Sequence, residues 1–164
     1  MDKTNFYENS SIVSSRLFGL CDTRKQEAVF IDLDPNNKEK WDAEVNNSVD
    51  DNIWFVPVDC NPLIVFTGEK CDCVLYSKNY AGIYFIELKK DRTGGSIEKG
   101  TRQLENTIQV FKYCHSLDVY RHAHAFVCNK KKPAFASGHM QQMQDFKSRT
   151  GVTLFLQYEI RIKM

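Results

Sequence analysis

Asp72, Glu87 and Lys89 are the residues whose types and spacing best fit a chemical task. Fourteen residues separate the two acids, and Lys89 follows Glu87 by two. The segments that carry them, Cys71–Tyr76 and Gly82–Leu88, read as strands joined by a turn over Ser77–Ala81. A turn centred between Asn79 and Tyr80 sets Tyr76 opposite Ile83, Val74 opposite Phe85 and Asp72 opposite Glu87. Directly opposed side chains have Cβ atoms about 4.5–5.5 Å apart, so two carboxylates meet on one face of a sheet. Lys89 points to the same face. Adjoining carboxylates repel unless a proton or a cation reconciles them. A divalent ion such as Mg²⁺ or Mn²⁺ takes one or two carboxylates and keeps waters or phosphate oxygens. A lysine beside it can serve the attacking water or stabilise charge in the transition state. The chemistry indicated is metal-assisted hydrolysis of a phosphodiester.

The elements around this trio must bury it in part. Val74, Tyr76, Ile83 and Phe85 share its face, while Cys73, Leu75, Tyr84, Ile86 and Leu88 line the other. Apolar residues on both faces mark central strands covered on both sides. Ile53–Val58 reads as a further strand, with Pro57 at its end or on an edge, and Leu63–Phe66 as a short extended piece. Upstream, Asp34-Pro35 is a helix start, and a helix through Lys38–Val45 carries Trp41 and Val45 at i, i+4. Ser10–Leu20 is expected to form a short helix within an N-terminal segment, residues 1–33. After the pair, Thr93-Gly94-Gly95-Ser96 is a break with Ser96 as a cap, and Ile97–His115 has helical apolar spacing. Ala123–Cys128 is a strand, Gly138–Lys147 a helix and Val152–Leu156 a closing strand that could extend to Ile162. Strands alternating with helices predict an α/β fold, a mixed sheet flanked by helices.

Asp72 with Glu87-Leu88-Lys89 resembles the D…(D/E)-x-K signature of the PD-(D/E)XK nuclease superfamily, and Gly68-Glu69-Lys70-Cys71 resembles the glycine-led approach to its Asp. Cys71 stands where that family's name has proline. The resemblance covers residues 34–164 and implies a restriction-endonuclease-like core, αβββαβαβ. It implies metal ligation by Asp72 and Glu87, with the Leu88 carbonyl as a further ligand and Glu44 on the first helix completing the shell. Gln103-Leu104 resembles the Gln motif of the RecB-like and resolvase-like branches, which gives Gln103 a positioning role; Thr107 replaces the aromatic often found four residues later.

Other features narrow the function. The chain has 164 residues, enough for one core, with 42 % apolar and 26 % charged residues. A net charge of +1 excludes a histone-like binder, so a nucleic-acid surface must be local. Lys90, Arg92, Lys99 and Arg102 cluster around the trio in sequence, and Lys130–Lys132 form a basic loop. No phosphate-binding P-loop or nucleophile elbow is present. Six cysteines without an export signal read as free thiols, and Cys71-x-Cys73 has no second pair to complete a zinc site. His122 and His124 share a strand face and read as sheet packing. No run of about 18 apolar residues predicts a membrane span. The expectation is a cytoplasmic, Mg²⁺- or Mn²⁺-dependent nuclease acting on DNA, in repair, restriction or phage defence. A homodimer or a partner subunit would supply specificity. The alternative is a non-catalytic binding, immunity or accessory protein on the same fold.

Overall fold

Strands that are apolar on both faces need cover on both sides, and the protein supplies two different covers. The computed structural model describes residues 3–23, 25–49, 52–90, 94–130 and 138–163. In chain order these form β1 (Ser11–Val13), β2 (Leu17–Cys21), β3 (Phe30–Asp32), a 3₁₀ turn (Pro35–Lys40), β4 (Ala43–Asn46), β5 (Ile53–Pro57), β6 (Cys73–Ser77) and β7 (Gly82–Leu88). There follow α1 (Gly94–Cys114), β8 (His122–Cys128), α2 (Met140–Thr150), β9 (Thr153–Leu156) and β10 (Glu159–Arg161). The fold is mixed α/β with two sheets. The larger has strand order β1-β5-β6-β7-β8-β9, the smaller β10-β4-β2-β3.

The predicted register of the central hairpin is observed for Val74 with Phe85 and Tyr76 with Ile83, but the ladder ends at Cys73 opposite Ile86, so the expected Asp72–Glu87 pair lies beyond the paired residues. One face of the large sheet (Val74, Ile83, Phe85, Val127) packs against Leu104, Ile108 and Phe111 of α1 and Phe146 of α2. The other face (Leu75, Tyr84, Ile86, Leu88) packs against Phe18, Leu20, Val45 and Ile160 of the small sheet. Helices therefore cover one side only, where the sequence pattern predicted flanking helices. Among the described residues no helix is long and apolar enough to cross a membrane.

Three expectations are corrected upstream of residue 71. Asp34 does cap a helical turn, accepting the Asn36 N–H at 3.0 Å. That turn stops at Lys40, and residues 43–46 form a strand rather than the body of a helix. Trp41 and Val45 are both fully buried, but with Ala43 they make a period-two row. A spacing of four is even, so it fits a strand face as well as a helix face. The 10–20 segment is two strands, not a helix. Gly19 of β2 is needed there because a Cβ would sit 2.1 Å from the Trp41 ring. Leu63–Phe66 forms no strand: Pro62 and Leu63 turn on Asn61, whose side chain accepts the Leu63 N–H and donates to the Pro57 carbonyl, at 3.0 and 2.7 Å. Residues ahead of 34 are woven into the body: β1 pairs with β5, and the buried Phe6 ring stacks edge-on to Phe111.

Downstream, α1 begins at Gly94, where a break was expected, and β10 is a separate strand of the small sheet rather than an extension of β9. Arg92, Lys131, Lys132 and the Ser96 side chain lie outside what is described.

Candidate active site

Asp72 lies one residue before β6 and is fixed through its backbone. Its N–H donates to the Ile86 carbonyl at 3.0 Å, and its carbonyl accepts from Val58 N–H at 2.9 Å. Its side chain turns back onto the partner strand, where Oδ2 accepts the Leu88 N–H at 2.7 Å. Glu87 and Lys89 project from β7 and the residue just past its end. Lys89 is anchored to β8, its N–H donating to the Cys128 carbonyl at 2.8 Å. All three side chains are withdrawn from solvent, with 7 % exposure for Asp72, 2 % for Glu87 and 9 % for Lys89.

The electrostatics are unbalanced. Lys89 Nζ stands 2.9 Å from Glu87 Oε2 and donates to Gln103 Oε1 at 2.8 Å. The second Glu87 oxygen, Oε1, is buried and finds no hydrogen-bond donor. Burial first, and then the neighbouring Asp72 charge, push the Glu87 carboxyl well above the ordinary value of 4.5, and the Lys89 ammonium only partly offsets them. Groups in such a state, buried and at odds with their surroundings, concentrate at functional sites.

Helix α1 holds this arrangement from one side. Gln103 accepts from Lys89 and passes its own amide N–H to the Lys70 carbonyl at 3.1 Å. One turn on, Asn106 donates to the carbonyls of Glu69 at 2.7 Å and Thr67 at 3.3 Å. Thr107 accepts the Cys71 N–H at 2.8 Å. These three side chains clamp the loop that delivers Asp72, and Gly68 turns within it at φ +95°. Gly100, a turn before Gln103, lets the helix approach: a Cβ there would lie 3.3 Å from Lys89 Cε and 3.4 Å from Glu87 Cγ. The sequence offered the signal for this clamp, since Gly100, Gln103 and Thr107 recur at i, i+3 and i+7 on one helix face. Reading Thr107 only as a missing aromatic overlooked its hydroxyl.

The other anticipated residues scatter. Glu44 is corrected: it sits on β4, not a helix, and its carboxylate pairs with Lys38 at 3.0 Å. Among the described residues no three His, Cys, Asp or Glu side chains gather as an ion cage. Asp42, which the sequence reading passed over, is the small-sheet acid that reaches the rim of this region. It is 5 % exposed and stands 3.6 Å from Lys90 Nζ. Lys99 is exposed on α1, and Arg102 pairs with Glu69 at 3.6 Å. The cysteines are free thiols, and burial pushes Cys71, Cys73 and Cys128 upward, so they stay protonated. His124 packs edge-on between Tyr84 and Phe155, and burial lowers its imidazole to about 4.

Comparison with protein-family models, with curated proteins and with solved structures returned no match.

Proposed function

We propose that the chain is a divalent-metal-dependent phosphodiesterase acting on nucleic acid, with DNA the first substrate to test. The observation that carries this reading is the meeting of two buried carboxylates, Asp72 and Glu87, beside the Lys89 ammonium. Two adjoining buried carboxylates cannot both ionise without cost, and a cation between Asp72 and Glu87 would remove the repulsion. Two carboxylates suit Mg²⁺ or Mn²⁺, with the Leu88 carbonyl, waters and phosphate oxygens as remaining ligands. The metal, when bound, supplies charge stabilisation on the phosphate and a more acidic water.

The chain's own residues do the rest. Asp72 and Glu87 hold their geometry through the Leu88 N–H and the Lys89 ammonium. Asp72 and Glu87 would hold the cation, and Gln103 Oε1 fixes Lys89 Nζ at 2.8 Å beside it. The ammonium is then placed to orient the attacking water or to stabilise negative charge on the phosphate. The β5-β6-β7 meander followed by α1, parallel β8, α2 and parallel β9 supports the likeness to a restriction-endonuclease-like core. The first helix of that core is replaced here by the 3₁₀ turn and β4.

The test is cleavage of labelled single- and double-stranded DNA and RNA with Mg²⁺, Mn²⁺ or EDTA. Wild type is compared with Asp72→Ala and Lys89→Ala after both are checked for folding. Metal-dependent cutting lost in both variants is expected. Cutting that survives in either, or wild type with neither cutting nor a metal-dependent shift in melting temperature, would move the protein to the binding or immunity class.

A further inference from the structure

On the side of Lys89 away from α1, a cavity of about 330 Å³ lies between the 3₁₀ turn and the ends of β7 and β8. Its lining is Lys40, Asp42, Lys89, Lys90, Asn129 and Lys130, which sets four lysines against one carboxylate. The volume is at the lower end of the range for small-ligand cavities. Asp42 and Asn129 are buried in its wall, 5 % and 3 % exposed.

Two of the cations, Lys90 and Lys130, are tethered to backbone carbonyls at the surface. Lys90 Nζ donates to the Asp22 carbonyl at 2.9 Å and stands 3.6 Å from Asp42 Oδ1. Asp42 is itself fixed, its Oδ2 accepting the Asp22 N–H at 2.8 Å. Lys130 donates to the Glu39 carbonyl. An ammonium has three N–H donors, and a carbonyl uses one without cancelling the charge. With Lys89 paired to Glu87 and Lys90 to Asp42, Lys40 and Lys130 carry the cavity's positive excess on a chain whose net charge is only +1, and a concave wall focuses that field.

We propose that this cavity binds a non-scissile phosphate of the nucleic-acid strand, next to the phosphate on which Asp72, Glu87 and Lys89 act; this rests on the nuclease reading above. Lys89 borders both places, so a strand crossing the carboxylate pair brings a neighbouring phosphate to Lys40, Lys90 and Lys130. The phosphate can be internal to the strand or sit at its 5′ end, and the two are told apart below.

The experiment is binding of fluorescent oligonucleotides to the full chain in EDTA, as fluorescence anisotropy across a range of salt. Oligonucleotides with a 5′-phosphate and with a 5′-hydroxyl are compared. The probed variant is Lys40→Gln with Lys130→Gln, and the charge control is Lys25→Gln with Lys78→Gln. The expected result is a plot of log K against log salt that is shallower by about 0.7–0.9 in the probed variant for the phosphate lost. Affinity falls several-fold at low salt, and the control changes less. Asp42→Asn should bind more tightly than wild type. An effect confined to 5′-phosphorylated strands assigns a terminal phosphate, and one seen in both arms assigns an internal one. An unchanged slope, a control that falls equally, or no binding by wild type at low salt overturns the proposal. Cleavage by the same variants is read separately. A shifted slope without metal-dependent cutting would leave the cavity standing and sink the nuclease reading, and the reverse pattern would do the opposite.

Discussion

The two ends of the β6–β7 hairpin are built from the same strands, yet they treat polar groups in opposite ways. At the turn end, Ser77 Oγ accepts the Gly82 N–H at 2.9 Å, and Asn79 Oδ1 accepts the Ala81 N–H at 3.0 Å. Tyr76 OH bonds Ser10 Oγ at 2.9 Å, and Tyr7 OH bonds Tyr120 OH at 3.0 Å. At the open end, Asp72 and Glu87 adjoin and one oxygen is left without a donor. What sets the open end apart is the meeting of two buried carboxylates, with Glu87 Oε2 2.9 Å from Lys89 Nζ.

The contrast extends to pH. Burial disfavours the charged form at both ends, but the groups have opposite sign. Glu87 is raised above 4.5, so the folded state holds its proton more tightly than the unfolded chain. Stability is fullest below about 4.5 and falls as pH rises through the folded value. His124, beside Tyr84 near the turn end, is lowered from 6.5 to about 4, so its contribution is present above 6.5 and is lost as pH falls toward 4.

The sharpest way to break the comparison is Lys89→Met, which keeps the buried stem and removes the ammonium. Metal-dependent cleavage should fall about 10²–10⁴-fold in single-turnover kinetics, while the fold by circular dichroism is retained. Next is Ser77→Ala, which leaves the Gly82 N–H without its acceptor. It should cost about 1–3 kcal/mol in urea unfolding and leave cleavage per folded molecule unchanged. Thr107→Val removes the acceptor for the Cys71 N–H and should cost a similar 1–2 kcal/mol, but with loss of activity because Asp72 follows in the chain. Glu87→Gln should abolish cleavage and yet raise the metal-free melting temperature by about 2–4 °C at pH 8, with no gain at pH 4. A melting temperature that falls at both pH values would mean that the carboxylate pair is structural. The smallest effect is that of His124→Phe, which should flatten the loss of stability between pH 6.5 and 4 in thermal melts.

The hairpin register, the shared face of Asp72, Glu87 and Lys89, and the place of Gln103 were all legible because each rests on local rules. A turn sets a register, a period of two sets a face, and a helix that follows a strand returns over it. The second sheet was not legible. Its strands are three to five residues long. β4 pairs with β10, Glu44 opposite Glu159, and no local pattern announces a partner so distant. Trp41, Ala43 and Val45 fit both periods until Gly19 and the Trp41 ring are seen against each other. Asp42 escaped notice for the same reason, since on a helix it would have faced elsewhere.

The parallel pairing of β10 with β4 sets an order of events during synthesis. Until residues 159–161 have left the ribosome, β4 has β2 on one side and an open edge on the other. Contacts this far apart in sequence form late and slowly. The Lys40, Asp42 and Lys90 wall stands next to that edge, while the Asp72–Glu87 hairpin and α1 belong to the earlier, more local part of the chain. A newly made molecule would thus assemble its acidic centre before the basic wall beside it is secured. Growing chains would carry β4 with an open edge until that last strand docks.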